Sequence, residues 1–184
     1  MDQAFLEALT DKPISPAIDL APFRCEPTID AFLREAACTL HEKRVTWVRC
    51  WMLGEELVGY YTASMNTVEI LPAQRGDYGL DELTLRKGGE HVKKFSCLLI
   101  GMLGTAENYV GRGLGKHMVK HAIGQAYVLS GQIGCRFVAV DSDPTELAMG
   151  LYAKCGFRKL LHKGARATVQ MVYDLGARSS TTST

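Results

Sequence analysis

Apolar and polar positions alternate along the chain with two periods, which predict helices and strands in turn. Apolar residues at helical spacing predict a helix over 27–42, and Pro27 suits its first turn. The runs 45–52 and 57–65 are rich in β-branched and aromatic residues. A short turn-forming segment, 53–56, separates them, so together they predict a β-hairpin.

Two stretches of the N-terminal half lack this periodicity. Residues 1–24 contain three prolines and predict a surface segment with a short strand near 17–20. Residues 72–94 are polar and rich in glycine, and they predict a long interior loop. Long loops often carry function, but a solvated excursion explains this one equally well.

The C-terminal half repeats strand and helix patterns. We predict a strand at 95–103, a helix from about 114 to 130, a buried strand at 135–140, and a helix with Asp143 as its N-cap that ends near 155–156. Two closing strands follow at 157–161 and 168–173.

This order of elements predicts an α/β (α+β) protein with one mixed sheet. A length of 184 residues suits one domain, which we place at 1–176, and the Ser/Thr-rich segment 177–184 predicts a disordered tail. Hydrophobic residues make up 47% and charged residues 22%, as expected of a globular protein. The formal net charge of +1 gives no general attraction to nucleic acid, so any such binding requires local patches.

The six cysteines lie in apolar, regular segments and form no C-x-x-C pair. We therefore expect the cysteines to be small core residues of a protein in a reducing compartment. A zinc site or a thioredoxin-like site is not expected. The five histidines show no ligand or triad spacing, so we expect no metal. The N-terminus resembles no signal peptide, and no apolar run has membrane-spanning length, so we expect a cytoplasmic protein that does not bind membranes.

The predicted strand at 95–103 leads into the glycine-rich turn Tyr109–Lys116 and a helix. Glycines at 111, 113 and 115 let a ligand approach the backbone closely. A helix start adds unpaired N–H groups and a positive dipole end, which suit a phosphate. Arg112 and Lys116 place further positive charge beside the turn. A glycine-rich cap without ligand is the alternative.

Two familiar phosphate motifs do not fit this turn. A P-loop requires glycine where Val110 stands and Ser or Thr where His117 stands. The dinucleotide fingerprint G-x-G-x-x-G requires a glycine where Lys116 stands.

The turn resembles the acetyl-CoA pyrophosphate loop Q/R-x-x-G-x-G/A of the GCN5-related N-acetyltransferase (GNAT) family, with Val110 in the first position. A second segment, 151–157, is similar to the family's F-Y-x-x-x-G-F signature, with Leu151 in place of Phe. The two motifs stand in the family's order. The resemblance implies the GNAT fold, with a mostly antiparallel sheet that splays at the coenzyme site and helices on both faces.

The resemblance also implies residue roles. Acetyl-CoA would be the co-substrate, and its pantetheine would pair like a strand with the backbone of Leu103, Gly104 and Thr105. The diphosphate would lie on the turn formed by Val110, Gly111, Arg112, Gly113, Leu114, Gly115 and Lys116. Tyr152 would protonate the departing thiolate, although a buried core tyrosine is the alternative. No general base is evident. Glu69 and Asp141 end strands, where a base could act through a water, although a solvated strand-end carboxylate is the alternative for each.

The N-terminal half is similar to one subgroup of the family, through the segment 23–33 and the strand sequence Val58-Gly59-Tyr60-Tyr61. That subgroup contains toxins of toxin–antitoxin pairs, which acetylate the amino acid of aminoacyl-tRNA. It implies a tRNA acceptor, an antitoxin partner and a homodimer. Glu26, Phe32 and Val110 depart from the patterns.

Two basic runs would suit a tRNA acceptor. They contain Lys154, Arg158, Lys159, Lys163 and Arg166, and Arg86, Lys87, Lys93 and Lys94. A solvated basic face is the alternative. Two further functions remain open: acetylation of a small-molecule or protein amine, and a non-catalytic module that binds acyl-CoA or a partner.

Overall fold

The structure, a computed structural model, describes residues 2–83, 92–162 and 164–177. The predicted tail beyond residue 177, and Arg86, Lys87 and Lys163 of the basic runs, lie outside the described residues.

Helices and strands alternate through the described ranges. The helices are α1 Gln3–Glu7, α2 Pro27–Glu35, α3 Ala37–Glu42, α4 Leu114–Ser130 and α5 Glu146–Ala153. The strands are β1 Leu9–Pro13, β2 Trp47–Leu53, β3 Glu56–Glu69, β4 Lys94–Thr105, β5 Phe137–Ser142, β6 Arg158–Lys159 and β7 Val169–Asp174. These strands hydrogen-bond in the order β1-β2-β3-β4-β5-β7-β6. Because α4 connects the adjacent strands β4 and β5, the sheet is mixed, as predicted.

The chain divides into two compact units. The first unit comprises residues 1–64 and 100–122, and the second comprises 65–99 and 123–184. Strands β3 and β4 and helix α4 therefore contribute residues to both units.

In the first unit, β1, β2 and β3 pair antiparallel, with Lys12 opposite Cys50 and Cys50 opposite Tyr60. The hairpin of β2 and β3 confirms the prediction. The core of this unit includes Phe23, Leu33 and Tyr60, each at most 1% exposed.

The prediction for the N-terminal segment was wrong. The strand lies at Leu9–Pro13 rather than near 17–20, and Ile14, Ile18 and Phe23 are buried in the core. β1 lies at the end of the strand order, and four of its five residues are exposed, so it carries no alternating apolar pattern. Backbone pairing with β2 forms this strand instead, and a position at the edge tolerates Pro13.

The predicted helix at 27–42 is two helices. Ala36 has φ −125°, outside the helical range, and separates α2 from α3. The side chain of Glu26 caps α2 by accepting a hydrogen bond from the Ile29 N–H at 3.1 Å.

The predicted N-cap of α5 was also wrong. The hydroxyl of Thr145, not the Asp143 carboxylate, accepts the hydrogen bond from the Ala148 N–H at 3.2 Å. Both residues are good N-caps, so propensity alone did not decide between them. The predicted helix from 114 to 130 is confirmed as α4.

In the second unit, β7 pairs antiparallel with both β5 and β6. The core of the second unit includes Phe137, Val172, Tyr78 and Leu80. The last two belong to the segment predicted as a loop. Its described part begins with two short 3₁₀ turns, Pro72–Gln74 and Gly76–Tyr78. Among the described residues, no helix is both long and apolar enough to cross a membrane.

Candidate functional site

The glycine turn of the first unit follows directly from β4. After β4 ends, the Ala106 N–H donates to the Val58 carbonyl at 2.9 Å, and the Glu107 N–H donates to the Arg24 carbonyl at 2.9 Å. A 3₁₀ turn at Glu107–Tyr109 then brings the chain to the glycines. The entry to the turn is therefore held by backbone bonds to two neighbouring segments.

Two glycines give the turn its shape. Gly111 has φ +84° and Gly113 has φ +96°, a region that L-residues adopt only with strain. Helix α4 begins at Leu114, and its first backbone bond runs from the His117 N–H to the Gly113 carbonyl at 3.0 Å. The amides that precede His117 in the helix have no carbonyl partner within it, so they are available to an anion.

Helix α4 packs closely on the sheet of the first unit. Leu114 and Met118 are buried, and a Cβ at Gly59 would lie 2.9 Å from Leu114 Cδ2 and 3.2 Å from Met118 Sδ. Gly59 therefore lets the start of α4 approach β3. The sequence pattern of β3 did not predict this role of Gly59, because the pattern predicts a strand but not which helix packs against it.

The sequence places the charge of Arg112 beside the turn, and the structure shows which groups contact it. Its guanidinium forms an ion pair with Asp2 at 2.6 Å and lies 3.9 Å from the ring centroid of Phe5. Asp2 also caps α1, and its own N–H donates to the Arg112 carbonyl at 3.2 Å. The short helix α1, which sequence reasoning missed, is therefore fastened to the glycine turn.

The other residues at the turn differ in exposure. Val110 is 65% exposed, so the residue that departs from the family pattern faces solvent. Lys116 is half-buried and lines a cavity of about 180 Å³ with His117, Lys120 and residues of α1. Lys116 therefore supplies a positive charge next to the helix start.

Leu103, Gly104 and Thr105 form the end of β4. Gly104 is buried, and a Cβ there would lie 2.9 Å from Ile29 Cγ2 and 3.0 Å from Tyr60 Cε1. The side chains of the protein itself thus require glycine at this position.

Tyr152 lies in α5 of the second unit. Its side chain is 7% exposed and contacts Phe157, with ring centroids 5.6 Å apart. Among the described residues, its hydroxyl has no hydrogen-bond partner, and it does not count among the fully buried polar atoms. A core tyrosine usually has a bonded hydroxyl, so this one is available to an outside partner.

Burial raises the pKa of Tyr152 to about 12, and the charges of Cys155 and Asp143 add to the shift. The phenol therefore keeps its proton at neutral pH. This pKa exceeds the value of about 8.5 for a thiol in water. A thiolate brought into similarly dry surroundings would have a raised pKa for the same reason.

The remaining candidates lie in the second unit. Lys154, Arg158, Lys159 and Arg166 are all exposed. Glu69 and Asp141 are exposed strand-end carboxylates, and Asp141 accepts a hydrogen bond from Gln170 at 2.9 Å.

Two histidines of the first unit have structural contacts. His41 Nδ1 accepts a hydrogen bond from the Val48 N–H at 3.1 Å, and His121 Nδ1 lies 3.0 Å from the Tyr61 hydroxyl. Within the described residues, no group of three metal-ligating side chains comes together.

A strand, a glycine turn and a long helix in a mixed sheet form the architecture of α/β proteins that accept phosphorylated ligands. The chain matches the model of the acetyltransferase (GNAT) family over residues 14–157. It therefore belongs to the GNAT family and is an acetyltransferase, a family that uses acetyl-CoA. No curated protein matches the chain.

Solved structures of toxins share the fold. AtaT complexed with acetyl-methionyl-tRNAfMet has a TM-score of 0.75 at 20% identity, with 90% of this chain and 94% of that chain covered. A tyrosine-to-phenylalanine mutant of KacT has a TM-score of 0.74 at 22% identity, with coverage of 90% and 94%. AtaTR bound with acetyl-CoA has a TM-score of 0.70 at 20% identity, with coverage of 90% and 93%. These likenesses establish the fold.

Proposed function

We propose that the protein transfers the acetyl group of acetyl-CoA to the α-amine of the amino acid on aminoacyl-tRNA. The observation that carries this proposal is the fold likeness to AtaT, which was solved with acetyl-methionyl-tRNAfMet. Exposed basic side chains on the second unit, among them Lys154, Arg158 and Lys159, support an acceptor that carries phosphates.

The glycine turn fits the diphosphate of acetyl-CoA. A Cβ at Gly111 would meet no atom within 4 Å, so the backbone there is open to a ligand. The amides of Leu114, Gly115 and Lys116 would bind the phosphate oxygens, and the Lys116 ammonium would add charge. The backbone of Leu103, Gly104 and Thr105 would pair with the pantetheine.

The chemistry requires one proton donor. The neutral amine would attack the thioester carbonyl carbon, the C–S bond would break, and the amine proton would leave to water. Tyr152 would give its phenolic proton to the departing sulfur. Its hydroxyl supports this role, because the group stays protonated at neutral pH and has no competing acceptor among the described residues.

An antitoxin partner belongs to the same proposal. AtaT bound to the C-terminus of the antitoxin AtaR, and a KacTA–DNA complex, share this fold at 19% and 22% identity. We expect co-expression with a small protein encoded beside the gene to suppress toxicity.

An acceptor panel tests the proposed function. Purified protein and labelled acetyl-CoA are incubated with total charged tRNA, uncharged tRNA, polyamines, aminoglycosides and a peptide with an unblocked N-terminus. We expect label in the charged tRNA alone, and mass spectrometry should show an acetyl group on the aminoacyl α-nitrogen. Acetylation of the peptide or of a small amine, with charged tRNA unlabelled, would contradict the proposal and favour the alternative acceptors.

Growth provides a second arm of the test. Expression of the natural protein should arrest growth, whereas Tyr152→Phe should be tolerated. The matched control is Tyr127→Phe, which changes an exposed tyrosine of the second unit and should remain toxic. Full tolerance of the natural protein would contradict a toxin function.

A further inference from the structure

The second unit contains a polar cavity whose described lining includes neither Tyr152 nor a residue of the glycine turn. It has a volume of about 280 Å³ and lies beside the end of β3, the start of β4 and the segment after β6. The polar residues that line it are Thr67, Glu69, Lys94, His162, Arg166 and Gln170.

Hydrogen bonds within the second unit hold the cavity wall in place. The Gln74 side chain donates to the Lys159 carbonyl at 3.1 Å and accepts from the Leu161 N–H at 2.6 Å. The Leu160 N–H donates to the Gln170 carbonyl at 2.9 Å. The residues that lead into His162 are therefore fixed to the turn that carries Gln74 and to β7.

The cavity unites charges that are far apart in sequence. Lys94 comes from one of the two basic runs and Arg166 comes from the other, and both line the same space. Among the described residues that line the cavity, Glu69 is the only one with a carboxylate. The lining thus carries a net positive charge, with Thr67 and Gln170 as neutral hydrogen-bonding groups.

One buried atom in the wall has no partner. His162 Nε2 is buried and has no hydrogen-bond partner among the described residues. Buried polar atoms are nearly always paired, so a water or a polar ligand in the cavity would satisfy this nitrogen. Burial and the neighbouring Arg166 charge lower the pKa of His162, whereas Asp141 opposes the shift.

We infer that this cavity binds a phosphate group of a nucleotide. Arg166 and Lys94 supply the charge-assisted donors that phosphate prefers, and the His162 imidazole supplies a further donor. The molecule that carries this phosphate is identified from the proposed function: it is the acceptor end of tRNA. Glu69 then faces the same space, where its carboxylate accepts hydrogen bonds from ribose hydroxyls.

Nuclear magnetic resonance of His162 tests the cavity directly. The probe is adenosine 5′-monophosphate, with adenosine and inorganic phosphate as companion titrations. The nucleotide should shift the His162 ring resonances and raise its pKa, because a bound dianion favours the imidazolium form. Inorganic phosphate should do so at higher concentration, and adenosine should not.

Variants identify the residues that carry the effect. Arg166→Ala should weaken binding of the nucleotide about tenfold or more, since it removes a charged donor. Lys43→Ala is the control, because Lys43 is an exposed cation that belongs to neither basic run and does not line the cavity. An unchanged His162 pKa in the presence of the nucleotide, or equal binding by both variants, would overturn the inference.

Kinetics with charged tRNA separate the two proposals. Arg166→Ala should raise the KM for charged tRNA about tenfold and leave the KM for acetyl-CoA unchanged. The salt dependence of tRNA binding should fall by about one unit of log–log slope. If the nucleotide shifts His162 while charged tRNA is not acetylated, the proposed function fails and the phosphate site stands. If charged tRNA is acetylated equally well by both variants, the phosphate site is wrong and the proposed function stands.

Discussion

At the scale of single residues, two side chains differ from the simplest reading of their motifs. Tyr152 is nearly buried, and its hydroxyl has no hydrogen-bond partner among the described residues. Arg112 stands in the glycine turn, yet its charge is matched by Asp2. The positive character of the turn therefore depends on backbone amides and Lys116 more than on Arg112.

Asp2→Asn tests the role of the ion pair. Asparagine keeps the helix cap on α1 but removes the negative charge beside the turn. The hydrogen bond from Arg112 holds the pKa of Asp2 below its ordinary value, so the carboxylate is charged throughout the working range of pH. We expect the KM for acetyl-CoA to fall roughly two- to fivefold at low salt, because the diphosphate then meets an unneutralised guanidinium.

The gain from Asp2→Asn should disappear in about 0.5 M salt, where exposed charges are screened. Glu55→Gln, which removes an exposed carboxylate of the first unit from the turn between β2 and β3, is the control. A KM that is the same for the natural protein and Asp2→Asn at low salt would show that Arg112 does not influence coenzyme binding.

At the scale of elements, glycine decides where helix and strand can meet. Gly59 allows α4 to approach β3, and Gly104 avoids Ile29 and Tyr60. Gly111 differs from both, because open space surrounds its Cβ position and only its positive φ requires glycine. The turn therefore requires the left-handed backbone conformation of Gly111 and not its small size.

Gly111→Ala should strain the turn by about 1–2 kcal/mol, the cost of a left-handed L-residue. We expect a lower free energy of unfolding and a higher KM for acetyl-CoA, since the turn would relax away from the shape that presents its amides. Urea unfolding and steady-state kinetics measure the two effects.

Gly124→Ala is the matched control for Gly111→Ala. Gly124 lies inside α4 with open space around its Cβ position, so alanine there should stabilise the protein by about 0.5–1 kcal/mol. Its KM for acetyl-CoA should not change. If Gly111→Ala also stabilised the protein, the left-handed conformation of the turn would be wrong.

At the scale of the whole molecule, the core holds many groups that titrate only at high pH. Burial raises the pKa of the Cys50 and Cys97 thiols and of the Tyr152 phenol to about 12. In the unfolded chain these groups lose their protons near pH 8.5 and pH 10. The unfolded state therefore releases protons first, and alkali favours it.

We expect the free energy of unfolding to be constant up to about pH 8 and to fall steadily between pH 8.5 and pH 12. The sign follows from the raised pKa values, because stability is fully present below the pKa of the unfolded groups and is lost above it. Urea titrations followed by circular dichroism in a reducing buffer measure the change. Stability that stayed level to pH 11 would contradict the burial of these groups.

The sequence predicted the hairpin, the glycine turn, α4 and the fold class, because each has a strong local pattern. It did not predict β1, since an edge strand with exposed side chains forms through backbone pairing alone. It also missed the contact between Asp2 and Arg112, because residues 110 positions apart leave no local signal. The sequence also did not predict that Lys94 and Arg166 line one cavity, because these residues too lie far apart along the chain.

Single-turnover transfer of acetyl to charged tRNA by the natural protein and Tyr152→Phe tests the central claim most directly. The account predicts a rate constant lower by about 10²–10⁴-fold in the variant, the usual contribution of a general acid, with an unchanged dissociation constant for acetyl-CoA. Tyr127→Phe should keep the natural rate. Equal rates for the natural protein and Tyr152→Phe, or no transfer to charged tRNA by either, would contradict the account.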